Sequence, residues 1–262
     1  MGLELDGAVV AVTGAAGGIG AALVEGFTRA GAQVVGTDLP GRGADVDLDV
    51  TDLEAARHAF GELRATRGRL DVVVANAGIG VGGLVEDLTA DDWTRSIDVN
   101  IRGTVNTVQA AYPILREQQR GSIVLMASLA GLAGLPLLTP YAMTKFAVVG
   151  LAQSLRPEAA RFGVGVTAVC PGPVETPLLD EVSRTAGLSV RRYLTASAGR
   201  PLAPSRLADL VVDAVRHDRP IVVPGRAGLL WRLNRAMPNT VAKVIARGMR
   251  DELEAAGVRE AP

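Results

Sequence analysis

Short apolar runs recur along this chain, each followed by a stretch in which apolar positions return at helical spacing. Residues 8–12, 33–37, 70–75, 121–127, 164–169 and 221–223 are such runs, and residues 45–50 alternate as a further short strand. Nearly continuous apolar runs of this length suit strands covered on both faces. Helices are expected after the glycine-rich stretch 13–20 to about Ala30, over 52–67, in a long segment after Thr89, from Tyr141 towards Phe162, and over 205–217. Thr89 followed by Asp92 reads as an N-cap with its acidic partner three positions on. Pro157 should kink the helix it falls in or end its first part. Strand–helix alternation of this kind predicts a single doubly wound parallel sheet of seven strands, with helices on both faces and right-handed crossovers.

No linker or internal repeat divides the chain. Residues 1–225 read as one domain, with 178–204, which show no clean period, as a lid or connection. Residues 226–262 form a basic amphipathic extension. Its stretch 226–250 holds six Lys/Arg and no Asp/Glu, with apolar Leu229, Leu230, Trp231, Leu233, Val241, Val244 and Ile245. Such a segment can cover its own cleft or a neighbouring subunit, or lie on an anionic membrane surface.

Composition narrows the class. Hydrophobic residues make up 48% and charged residues 21%, which argues against disorder, and aromatics at 3% leave the core to Ala, Val, Leu and Ile. A net charge of −1 gives no overall attraction to nucleic acid. The single cysteine, Cys170, excludes an internal disulfide and a cysteine-based metal site, fits a reducing cytoplasm, and reads as a small buried residue. The acidic N-terminus runs into a strand and does not look like a secretory signal. No run of about 18 apolar residues could span a bilayer. A soluble, cytoplasmic protein without a metal is expected.

Candidate chemistry sits at the strand ends. Strand, glycine-rich turn and helix meet at residues 13–20 (Thr-Gly-Ala-Ala-Gly-Gly-Ile-Gly), the context of a dinucleotide phosphate site. Gly14 would permit the turn, Gly18 the approach of a pyrophosphate, and Gly20 close packing of helix on strand. Asp38, at the end of the second strand, is placed to bind ribose hydroxyls; its charge repels a 2′-phosphate and favours NAD over NADP, while Arg42 pulls the other way. Asn100 lies inside a predicted helix, for which asparagine has no preference. Ser128 follows a strand, where a parallel sheet lines its ligand crevice. Tyr141 and Lys145, four apart on a helix, stack on one face roughly 6 Å apart along the axis, and a neighbouring ammonium lowers a phenol's pKa. Lysine is scarce, only Lys145 and Lys243, so the pairing carries weight.

Together, T-G-x-x-x-G-I-G at 13–20, Asp38, N-A-G at 76–78, Asn100, Ser128, Y-x-x-x-K at 141–145 and P-G-x-V-x-T at 171–176 resemble the short-chain dehydrogenase/reductase family, over residues 5 to about 225. The resemblance implies a Rossmann-like fold and an NAD(P)-dependent enzyme acting on CH–OH donors. It implies Tyr141 as general acid or base, Lys145 lowering its pKa and holding the nicotinamide ribose, Ser128 on the substrate oxygen, and Asn100 holding a relay water. It also implies cofactor contacts at Gly14, Gly18, Ile19, Gly20, Asp38, Asp49, Val50, Asn76, Ala77, Gly78, Pro171, Gly172, Val174 and Thr176, and assembly as a homodimer or homotetramer. The chain departs from the family at Ala75, often asparagine, at Pro157 in a helix that often forms the subunit interface, and in its longer tail.

The leading reading is an NAD-dependent oxidoreductase interconverting a secondary alcohol and a ketone. Leu132, Leu135, Leu137 and Leu138 point to a lipophilic, steroid-like or fatty substrate. The alternatives are an NADPH-dependent 3-ketoacyl reductase and, from another class, a catalytically silent NAD-binding regulator. A Ser-His-Asp hydrolase is excluded, since no G-x-S-x-G elbow is present and His58 and His217 fall in helices away from the strand ends.

Overall fold

A computed structural model describes residues 2–258. Its strands are β1 (Val9–Thr13), β2 (Gln33–Asp38), β3 (Val46–Asp47), β4 (Val72–Ala75), β5 (Gly121–Met126), β6 (Val164–Val169) and β7 (Ile221–Val222). They pair in parallel in the order β3-β2-β1-β4-β5-β6-β7. The expected seven-stranded sheet is present. The order reverses between β1 and β4, and there the crevice over the carboxyl ends of the strands opens.

Alternation along the strands divides the core. Val10 and Val12, Val72 and Val74, and Val124 and Met126 point to one face, where they meet α1 (Gly18–Arg29) and α8 (Pro204–Arg216). Ala11, Val73, Ile123 and Val166 point to the other, against α2 (Leu53–Arg67), α4 (Gly103–Gln118) and α5 (Thr139–Ala160). With few aromatics in the chain, Phe27 anchors the first layer and Phe60 the second, both almost wholly buried.

A third cluster lies above the crevice. It joins Leu135, Leu137 and Leu138 to α6 (Leu178–Glu181), α7 (Val190–Ala198) and the last helix, α10 (Pro238–Ala255). The preceding α9 (Gly225–Ala236) lies against it through Leu230.

Three expectations need correction. Residues 45–50 give only a two-residue strand, because Leu48 and Val50 turn inward to the core while Asp49 caps a turn by accepting from the Thr51 N–H. Residues 178–204 are not without order: Ser189 caps α7 by accepting from the Arg192 N–H, and Val190, Tyr193 and Leu194 are buried at helical spacing. Pro157 does not end its helix, which runs three residues further to Ala160. Asn100 lies in the helix interior as expected, in a π-helical turn, Asp98–Arg102, that joins α3 (Ala90–Ile97) to α4. The Thr89–Asp92 capping box that opens α3 forms as expected.

Candidate active site

The glycine-rich turn is dictated by close approach. Gly14 has φ +66°, and a Cβ on it would stand 2.8 Å from the Ala77 Cα. A Cβ on Gly20 would lie 1.9 Å from the Gly14 carbonyl oxygen, so Gly20 is needed by the turn folding back on the helix, not by helix–strand packing. At Gly18 the neighbour is the Thr176 methyl, 2.8 Å from where a Cβ would be; this glycine lets the loop after β6 close on the turn. α1 starts at Gly17 with no side-chain cap and no acid in its first turn, which leaves its N–H groups and positive end for an anion.

Asp38 sits at the end of β2 beside this turn. One carboxylate oxygen accepts from the Ala16 N–H at 2.9 Å and the other from the Leu39 N–H at 2.8 Å. Its role as a turn residue is therefore real, and it also fixes the carboxylate against the glycine turn. Asn76 is held by the same turn, its Nδ2 donating to the carbonyls of Thr13 (3.0 Å) and Gly14 (3.1 Å). Thr13 Oγ1 accepts from the N–H groups of Asn76 and Ala77, both at 3.1 Å. Val50 is buried against Gly103, and the buried Asn106 donates to the carbonyls of Val50 and Thr51, each at 2.9 Å. The sequence assigns Thr13 and Asn106 no role of their own, because their partners, Asn76 and Ala77 for one and Val50 and Thr51 for the other, lie across the fold.

Ser128 leaves β5 in extended conformation and caps the short 3-10 helix Leu129–Gly131, accepting from the Ala130 N–H at 3.1 Å. Its hydroxyl stands beside the Tyr141 phenol and holds the phenol's pKa down in part. Lys145 is buried, donates from Nζ to the Met126 carbonyl at 2.8 Å, and stands 5.5 Å from the centre of the Tyr141 ring. The three side chains meet at the floor of a cleft walled by Leu135, Leu138, Leu179, Val190 and Leu194. Ile19, Asn76, Gly78, Pro171, Gly172, Val174 and Thr176 line the same cleft.

Burial pushes the Tyr141 phenol up, and the Ser128 hydroxyl beside it draws it back in part. Burial lowers Lys145 from 10.5 to about 8, which leaves it mainly an ammonium at neutral pH. The Cys170 thiol is pushed up to about 12, again by burial, and is a neutral neighbour of both.

Asn100 is fully buried and its amide is engaged. Nδ2 donates to the Ile79 carbonyl (2.9 Å) and to Thr144 Oγ1 (3.1 Å), and Oδ1 accepts from the Ile79 N–H (2.8 Å). These bonds fix the segment after β4. The π turn that carries Asn100 is a device often met at functional sites. Asp49 is exposed and spends Oδ1 on Thr51.

A doubly wound sheet with a glycine cradle, an uncapped helix start and a carboxylate at the end of β2 defines a dinucleotide-binding α/β enzyme. Residues 8–187 match the short chain dehydrogenase family, and the chain belongs to it. It is an oxidoreductase of the class acting on CH–OH donors, and the family binds a nicotinamide cofactor and a small-molecule substrate. It is similar to the oxidoreductase UcpA of Escherichia coli, 34% identical over 79% of this chain and 84% of that one. To the 3-oxoacyl-[acyl-carrier-protein] reductase FabG of Thermotoga maritima it is 34% identical over 70% of this chain and 81% of that one. A crystal structure of a short chain dehydrogenase/reductase from Burkholderia phymatum in complex with NAD superposes with a TM-score of 0.79, at 27% identity, covering 89% of this chain and 95% of that one.

Among the described residues no group of acids, histidines or cysteine could hold a metal ion, and no helix is long and apolar enough to cross a membrane.

Proposed function

We propose that this protein is an NAD-dependent oxidoreductase that interconverts an apolar secondary alcohol and its ketone. The observation that carries the reading is the meeting of Ser128, Tyr141 and Lys145 on the floor of a cleft whose walls are mostly leucine and valine. Asp38 supports NAD over NADP, because a carboxylate pinned beside the glycine turn would face a 2′-phosphate with like charge.

The glycine turn and the start of α1 would hold the pyrophosphate of a nicotinamide dinucleotide, which would supply the hydride acceptor in oxidation and the donor in reduction. The Tyr141 phenol gives its proton to the carbonyl oxygen in reduction and, as phenolate, takes the hydroxyl proton in oxidation. Ser128 orients the substrate oxygen by a hydrogen bond alongside that phenol. Lys145 supports the proton-transfer floor and is placed to reach the nicotinamide ribose. Asn100 is a positioning residue for the 76–79 segment, and Gly14, Gly18, Gly20, Val50, Asn76 and Thr176 shape the cofactor channel.

A second reading, an NADPH-dependent 3-ketoacyl reductase, has the similarity to the T. maritima reductase in its favour. One experiment separates them. Turnover is followed at 340 nm with NAD and NADP in parallel, on secondary alcohols graded by size and on a ketoacyl thioester, with Tyr141→Phe as control. NAD-linked oxidation of bulky apolar alcohols, lost in the variant by about a hundredfold or more, is the expected result. NADPH-linked reduction of the thioester alone would replace this reading by the second.

A further inference from the structure

The C-terminal helices carry a surface that neither the cleft nor the core uses. Of eleven exposed large apolar side chains among the described residues, four fall between residues 229 and 244: Leu229 (59% exposed), Leu233, Met237 and Val244 (65%). On α9, Leu229 and Leu233 stand one turn apart on the outward side, and Met237 continues their line into the turn before α10. Their opposites on α9 face inward: Ala227 is buried, and Asn234 donates to the Leu132 carbonyl at 3.3 Å.

The charge on this surface has one sign. Arg226, Arg232, Arg235, Lys243, Arg247 and Arg250 are all exposed, and no acid occurs between 226 and 250. Among the described residues none of the six makes an ion pair. Arg235 lies over the Trp231 ring at 5.8 Å. The exposed acids Asp251 and Glu254 come only at the far end of α10, and Glu252 is turned inward to Arg192.

We propose that the α9–α10 hairpin docks on an anionic lipid bilayer, with Leu229, Leu233 and Met237 in the acyl boundary and the flanking arginines among the headgroups. An apolar stripe flanked by unpaired cations is the pattern that binds such a surface, by apolar burial plus attraction to anionic lipid. A second copy of the chain fits less well, because a two-fold contact through this face would set cations against the same cations. The hairpin packs on α7, whose Val190 and Leu194 wall the cleft, so docking holds the apolar cleft beside the membrane. The inference does not depend on the substrate or on the cofactor chosen.

The test is co-sedimentation of the full chain with vesicles of phosphatidylcholine alone or mixed with phosphatidylserine, at low and high salt. Wild-type protein is expected to pellet with the anionic vesicles at low salt and to be released at high salt. At roughly 1 kcal/mol per cation near the surface, Arg232→Gln with Arg235→Gln lowers partition about 25-fold. Leu229→Gln with Leu233→Gln also abolishes pelleting. All four positions are exposed or point outward, so the melting temperature and turnover of a water-soluble alcohol stay as in wild type. Equal pelleting with neutral vesicles, none with either, or no change in the variants would overturn the proposal. So would dissociation of an oligomer by Leu229→Gln in analytical ultracentrifugation, which would assign the face to a second copy.

Discussion

Asn100 and Ile79, 21 residues apart, hold each other by two hydrogen bonds: the Asn100 amide donates to the Ile79 carbonyl and accepts from its N–H. A side-chain amide is the one group that offers both a donor and an acceptor to a peptide unit in this way. The bonds fix the strand-end segment that carries Asn76 and Gly78, and a Cβ on Gly78 would stand 3.0 Å from Asn100 Oδ1 and 3.5 Å from Lys145 Nζ.

Removing that amide should therefore loosen the cofactor channel before it touches chemistry. Asn100→Ala leaves the Ile79 groups without their partners, a cost of about 1–3 kcal/mol for each one stranded. The expected result is lower stability in urea together with a raised KM for the dinucleotide. Asn100→Asp keeps the acceptor, loses both donors, and should fall between the two. A loss confined to kcat, with cofactor KM and stability unchanged, would instead favour a direct relay role.

Lys145 gives a stability prediction with a definite sign. Its folded pKa is depressed from 10.5 to about 8, so the folded state disfavours the charged form. Below pH 8 both states are protonated and the penalty for the buried ammonium is fully present. Between pH 8 and 10.5 the unfolded chain binds more protons than the folded one, so this residue's contribution to stability rises with pH, by roughly 3 kcal/mol in all. Cys170, raised to about 12, opposes it above its ordinary 9, because there the unfolded chain has lost a proton that the folded one keeps. The comparison is therefore wild type against Lys145→Met, in which Cys170 is common to both. Urea unfolding at pH 7.5 and pH 10 should show wild type gaining on the variant with rising pH. A difference independent of pH would mean that the ammonium is not desolvated as its burial implies.

The sequence made some of this legible and not the rest, for physical reasons. Strands and the helix carrying Tyr141 and Lys145 were readable because apolar runs, glycine spacing and a four-residue offset are local signals. Asn100 could be noticed as out of place in a helix, but its partner Ile79 could not, since that contact is made across the fold. The pKa order of Tyr141 and Lys145 depends on how deep the cleft floor lies, which spacing does not encode. α7 was missed although its period was present: Ser189 as cap and Val190, Tyr193 and Leu194 inward make a helix of only nine residues, too short to stand out among the surrounding turns. The inward turn of Glu252 was hidden for a different reason. In a tail with other acids nearby, nothing marked it as the one that is buried.

Glu252 is 3% exposed, accepts from the Ser189 N–H at 2.8 Å, and takes Nε and Nη2 of Arg192, both at 2.6 Å. It ties α10 to the first turn of α7, whose Val190 and Leu194 form part of the cleft wall. The bidentate geometry fixes an orientation as well as a contact. Since Arg192 is half exposed, it can be solvated when its partner is lost, so the stability cost of Glu252→Ala should stay near 2 kcal/mol, below that of a fully buried pair. The larger effect should be on the wall. With α7 no longer held, KM for a bulky apolar alcohol is expected to rise several-fold, while kcat for a small alcohol that does not reach α7 stays within about twofold, as for loss of uniform binding. Glu252→Gln keeps one acceptor oxygen, which can still take the Ser189 N–H, but loses the charge and the second oxygen that accepts from Arg192, and should recover only part of the affinity. If both alcohols lost KM and kcat in proportion, α10 would be supporting the whole domain and not the cleft wall.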